Sequence, residues 1–185
     1  MRHDKKLIAR FASVGEWYDD IIRYIRQSYD DPVLFVGLLA ATSPRKRVSD
    51  NWKLANRIYR EHKAGKPYTR TGLMPCHIGN IDRALSGQEL SGPKVRAFQE
   101  NLSGNPNCVT VDVWIMRYYG KDTNSPTTRE YREIERDIVR QARRFNTSPA
   151  VIQAIFWSIA RYNAGLSPSS FTGETKQQTF GFMSE

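Results

Sequence analysis

Cysteine and histidine are scarce in this chain, and their placement excludes the chemistries that depend on them. The two cysteines, Cys76 and Cys108, share no CxxC motif, and His3, His62 and His77 are scattered without ligand spacing. Neither a disulfide framework nor a metal site fits this pattern, and an iron–sulfur cluster needs about four cysteines. Long apolar runs are missing too. Nothing approaches the roughly 20 residues needed to cross a bilayer, and the start Met1-Arg2-His3-Asp4 has no apolar signal-peptide core. A reducing cytoplasm is the expected setting. Acidic residues are outnumbered: 28 Lys and Arg against 19 Asp and Glu leave a net charge of +9. Such a surplus attracts polyanions, phosphate backbones foremost, with acidic membranes as the competing partner. With 39% hydrophobic and 11% aromatic residues, 185 residues can bury a core as one domain or as two small lobes sharing a cleft.

Strand signals are equally thin. Cys108-Val109-Thr110-Val111 has strand propensity but no partner to pair with. Helix punctuation runs through the rest. Asp31-Pro32 caps and opens an apolar helix from Val33 to Ala41. Ser49-Asp50 starts another, with Trp52, Ala55, Ile58 and Tyr59 at helical spacing until Gly65 and Pro67 stop it. The stretch from Gly65 to Gly79 reads as loop, followed by a short helix around Ile78, Ile81 and Leu85. Leu90-Ser91-Gly92-Pro93-Lys94 is a tight turn into a helix from Val95 to Leu102, and after Gly104-Asn105-Pro106-Asn107 a helix resumes over Thr110 to Tyr119. Thr127/Thr128 caps a helix with Tyr131, Ile134, Ile138 and Phe145 on one stripe. Ser148-Pro149 opens the last helix, burying Ile152, Ile155, Phe156, Ile159 and Ala160. Trp17-Tyr18 reads as a packing pair, and the polar mixture from Leu166 onward as a weakly ordered tail. The expectation is an all-α domain over 1–165 with a tail over 166–185.

Two short stretches carry chemistry. The glycine turn before Val95 leaves backbone N–H groups unpaired at a helix N-terminus, where hydrogen bonding and the helix dipole both favour a phosphate. Lys94 stands beside that turn, and Asp112 follows eighteen residues later, just after an apolar run and at an expected helix start.

Lys94, Val111-Asp112 and Arg117 resemble, in spacing and order, the helix-hairpin-helix DNA glycosylases typified by endonuclease III. In that family a glycine-rich hairpin ending in Lys is followed by a Val-Asp segment, with an Arg five residues after the Asp. The upstream Leu38-Leu39-Ala40-Ala41-Thr42-Ser43, Asn51 and Leu54-Ala55-Asn56-Arg57-Ile58-Tyr59 are similar to the family's helix pair before the hairpin. The resemblance spans Phe35 to Tyr119. It implies two helical lobes around a DNA-binding cleft, with the helix-hairpin-helix over about 80–103, in a monomeric enzyme that flips a modified or damaged base out of double-stranded DNA.

Carried over residue by residue, Asp112 stabilises positive charge on the deoxyribose or helps generate the nucleophile, and Lys94 attacks C1′ to form a Schiff base. Gly92 and Pro93 grip a phosphate, and Thr42 fills the gap left by the flipped base. Arg96 and Arg117 join these as expected DNA contacts, as does the cluster Arg45, Lys46 and Arg47. No cofactor is implied beyond a monovalent cation at the hairpin. The departures are a shorter hairpin, Trp114 where the family has His, and no cluster-binding cysteines.

Other readings stand beside these. Asp112 serves as a helix cap whatever else it does. Lys94 serves as nucleophile, as phosphate contact or simply as solvated surface. Pro44-Arg45-Lys46-Arg47 also reads as a solvated helix end, Arg140, Arg143 and Arg144 as a solvated face, and Trp114 and Trp157 as core residues. Two further functions suit the same scaffold: a phage-type transferase that hypermodifies thymine bases, leaving the glycosidic bond intact, and a DNA-binding module without catalysis. The expected location is the cytoplasm of a bacterial or phage-infected cell.

Overall fold

Capping chemistry sets most helix starts in the computed structural model, which describes residues 3–123 and 125–166. Asp4 caps α1 (Lys5–Arg10) by accepting from Lys6 and Leu7 N–H. A 3₁₀ turn, Ala12–Glu16, leads into α2 (Trp17–Ser28). Asp31 accepts from the Leu34 amide and Pro32 occupies the first position of α3 (Pro32–Thr42). Then follow α4 (Val48–Lys63), α5 (Pro75–Leu85), α6 (Pro93–Ser103) and the short α7 (Val113–Tyr118). Thr127 and Glu130 cap α8 (Thr128–Arg144) reciprocally, and Ser148 with Pro149 starts α9 (Pro149–Asn163). Among the described residues every regular element is helical.

Two helices act as hubs. Buried on nearly every side, α3 packs against α2, α4, α5 and α6. The second hub, α9, packs against α1, the 3₁₀ turn, α7 and α8. The first group is therefore contiguous in sequence, whereas the second combines the N-terminal elements with the C-terminal helices. One apolar core joins them, running from Phe35, Trp52 and Ile58 through Ile21 and Ile25 to Ile115, Ile138 and Phe156. A smaller cluster of Ala40, Leu90 and Val95 lies under the turn that enters α6.

Several sequence expectations need correction. The Gly65–Gly79 stretch is not all loop, because α5 already begins at Pro75, where proline fits the first helical position and Gly79 is tolerated in the interior. The first helix of the stretch expected to span about 80–103 thus begins at Pro75. Helix does not resume at Thr110: Val109, Thr110 and Val111 are buried without helical structure, and α7 begins at Val113. The Trp17-Tyr18 pair opens α2 after α1 and the 3₁₀ turn, and its rings meet edge-on at 4.9 Å. Of the expected tail over 166–185, residues 167–185 lie outside the described residues.

Candidate active site

The turn into α6 depends on its glycine. Gly92 has φ 95° and ψ 135°, which a side chain disfavours strongly, and the space a Cβ would occupy is open. With no side chain at the cap and Pro93 at the first position, the amides of Lys94 and Val95 find no acceptor among the described residues. Two N–H groups at the positive end of an 11-residue helix can therefore receive an anion. The turn itself is clamped from α5. The Asn80 carboxamide accepts from Ser91 N–H at 2.7 Å and donates to Ser91 C=O at 3.0 Å.

Lys94 leaves this turn and runs to the end of α3. Its half-buried side chain donates to Ser43 Oγ at 2.7 Å, and Ser43 donates to the Ala40 carbonyl at 2.9 Å. Burial pushes the Lys94 amine down from the ordinary lysine value, while the negative charge of Asp112 and, less, the field of Cys76 pull the other way. An amine under these influences reaches its neutral, nucleophilic form more readily than one in water.

Asp112 comes from the other helix group. Its Oδ1 caps α7, accepting from the Trp114 and Ile115 amides at 2.9 and 3.0 Å. Its Oδ2 accepts from the Trp157 indole N–H on α9 at 2.9 Å. The approach to Asp112 is fixed from two sides: the Tyr131 hydroxyl donates to Val109 C=O at 2.7 Å, and Thr110 donates to Asn101 at 3.0 Å. Asn101 in turn donates to the Cys108 carbonyl at 2.9 Å. The buried Tyr18 hydroxyl also feels the Asp112 charge, which adds to burial in raising it.

Two guanidiniums line the same region. Arg117 lies 4.4 Å from the Trp114 ring centre, and Arg161 stands 5.3 Å from Trp114 and 4.6 Å from Trp157. Burial lowers Arg161 and Asp112 opposes the shift; its Nε is buried without an acceptor. Trp114 and Trp157 are half-buried: Trp157 packs against the core, as expected of it, while the ring of each also carries a cation and the Trp157 indole reaches Asp112.

The basic loop after α3 is partly tied down. Lys46 donates to the Gly72 carbonyl at 2.8 Å, while Arg45, in the left-handed region at φ 57°, and Arg47 are exposed. Buried His77 holds the loop to α5: its Nδ1 accepts from Met74 N–H at 3.1 Å, so Nε2–H donates to Pro44 C=O at 2.9 Å. Burial lowers the His77 pKa and keeps the ring neutral, as this pair of bonds requires. Arg96 is exposed and pairs with Glu89 at 2.9 Å.

Thr42 is the expected site residue that the structure removes. It is fully buried, donating to Leu38 C=O at 2.8 Å and sharing a 2.7 Å bond with Asn51, so it cannot fill a gap in DNA. The structure brings Lys94 and Asp112 within electrostatic reach of each other, Lys94 next to the Gly92-Pro93 turn and Asp112 at the start of the helix that carries Arg117. Ser43, Asn80, Asn101, Trp157 and Arg161 complete this arrangement and were not legible in the sequence, since each meets its partner through tertiary packing.

A family model described as a family of unknown function, DUF7178, matches residues 12–164. The chain belongs to DUF7178. Every residue of the site just described lies inside the matched region, so the site is built from the DUF7178 part of the chain. No curated protein and no solved structure matches it. Among the described residues no cluster of His, Cys, Asp and Glu is placed to hold a metal, and no helix is long and apolar enough to cross a membrane.

Proposed function

We propose that this protein binds double-stranded DNA and acts on a base flipped out of the helix, most simply as a DNA glycosylase. The supporting observation is that Lys94 and Asp112 lie within electrostatic reach of each other. A depressed amine from one helix group lies within the field of an oriented carboxylate from the other, and the amine stands at a helix N-terminus open to phosphate. The net charge of +9 supplies the attraction to the duplex.

In this reading the Gly92-Pro93 turn receives a backbone phosphate, which sets the register of the sugar. Asp112, held in place, stabilises the positive charge that grows on the deoxyribose as the glycosidic bond breaks. Lys94, once neutral, attacks C1′; the base leaves with its bonding electrons and takes up a proton, the amine sheds one proton, and the C1′–O4′ bond then opens, O4′ taking a proton as the nitrogen becomes the iminium. With Lys94 protonated, the same arrangement supports hydrolysis by water, and the lysine then serves as an anchor.

Borohydride trapping tests this directly. Duplexes carrying single modified bases are incubated with the protein under reducing conditions and resolved by denaturing electrophoresis. A covalent adduct with wild type that is absent with Lys94→Gln supports the nucleophile. Abasic sites without an adduct support hydrolysis, and intact DNA under all substrates refutes base release. A changed base on an uncut sugar points instead to the transferase chemistry.

A further inference from the structure

We infer that Trp157 is a positioning residue for Asp112, using its indole N–H to hold the second carboxylate oxygen and so to aim the charge at the substrate. This rests on the proposed base-releasing function for its purpose, though not for its geometry. A helix cap needs only one oxygen. Oδ1 already takes both first-turn amides, from Trp114 and Ile115. In an ordinary cap Oδ2 would be left to solvent. Here it accepts a 2.9 Å bond from a side chain 45 residues away, on a different helix.

Three donors on two oxygens leave the carboxylate no rotational choice. Rotation about the Cβ–Cγ bond that breaks the Trp157 contact also breaks the cap, so cap and clamp reinforce one another. The stem of the clamp is rigid. Trp157 sits on α9, the hub of the second helix group, and Arg161 one turn further along stacks on the same ring at 4.6 Å. That cation lies close enough to feel the carboxylate, yet no hydrogen bond joins the two among the described residues. Asp112 is thus fixed by an uncharged donor, which orients the anion without a direct ion pair to take up its charge. A salt bridge in the same place would spend that charge on a protein cation. For a group whose task is to stabilise a developing cation, orientation without neutralisation is the useful arrangement.

The conservative variant Trp157→Phe keeps an aromatic ring for Arg161 and removes the donor. In ¹⁵N–¹H spectra of the full chain, the indole resonance lost in Trp157→Phe is expected to shift in Asp112→Asn, while those of Trp17 and Trp52 stay in place. Trp157→Phe is expected to bind unmodified duplex within about twofold of wild type and to lower kcat about tenfold or more at unchanged KM. An indole resonance indifferent to Asp112 overturns the contact. A wild-type kcat, or a loss confined to KM and duplex affinity, overturns the positioning role. Where the wild-type protein alters no base, the proposed function fails and ¹³C relaxation of the Asp112 side chain decides. Order that is lost in Trp157→Phe upholds positioning, and equal order in both proteins overturns it.

Discussion

Replacing Asp112 separates its cap from its charge. In Asp112→Asn the side-chain oxygen can still accept from the Trp114 and Ile115 amides, and asparagine caps helices about as well as aspartate. What is lost is the charge and the acceptor for the Trp157 indole, at about 1 kcal/mol for one hydrogen bond. In Asp112→Ala the cap goes as well, at about 1 kcal/mol more, for a total of about 2 kcal/mol. For a chain of this size each kcal/mol lowers Tm by about 2–4 °C, so Asn is expected to cost about 3 °C and Ala about 6 °C in calorimetry. Both variants should lose base release by a factor on the order of 10² or more, because neither carries the anion. Duplex affinity should hold or rise. A unit charge about 10 Å from a phosphate in water is worth about 0.4 kcal/mol, or roughly twofold tighter binding by fluorescence anisotropy once the aspartate is gone. Unimpaired turnover by Asp112→Asn, with the expected 3 °C loss, would rule out a role for the charge and leave Asp112 as a cap alone.

Four further outcomes follow from the same structure. Neutralising about five phosphates predicts a log–log salt slope for duplex binding of about −4.5, and flat binding between low and moderate salt removes the nucleic-acid partner. Lys94→Gln should abolish borohydride trapping if the amine attacks the sugar; if it only touches phosphate, the salt slope falls by about one unit and turnover survives. Gly92→Val forces a side chain onto φ 95° at about 1–3 kcal/mol and crowds the phosphate, so binding should suffer more than Tm; a collapsed Tm with normal binding by the folded fraction makes the glycine structural only. His77 is held neutral when folded, so its contribution to stability is complete above the free value of about 6.5 and is lost as pH falls through and below it. A Tm titration from pH 8 to 5 should show this loss flattened in His77→Gln, and parallel curves would contradict the assigned tautomer.

What was legible in the sequence was local. Asp31-Pro32, Thr127 with Glu130, and Ser148-Pro149 announce helix starts because a cap and its amides lie within three residues of each other. Pro75 misled for the same reason: proline suggests a break, and only its place at the first position of α5 shows it to be a start. Lys94 and Asp112 could be singled out because a glycine turn and an apolar run flank them in sequence. Their surroundings could not. Ser43 meets Lys94 across 51 residues, and Trp157 meets Asp112 across 45, at no period that a helix or strand would print in the sequence. Thr42 failed as a site residue because Asn51, one helix away, turns its hydroxyl into the core.

In the proposed function Lys94 and Asp112 act together on a base in duplex DNA. This is tested most directly by complete nucleoside analysis of duplexes carrying a panel of modified bases after incubation with wild type, Lys94→Gln and Asp112→Asn. Wild type is expected to deplete one modified nucleoside, matched by free base and abasic sites, Lys94→Gln to deplete it only if the lysine is a phosphate contact, and Asp112→Asn to leave every nucleoside intact while still binding the duplex. Depletion that persists undiminished in Asp112→Asn, or no change to any nucleoside by a wild-type protein that binds the duplex, would contradict the proposed function.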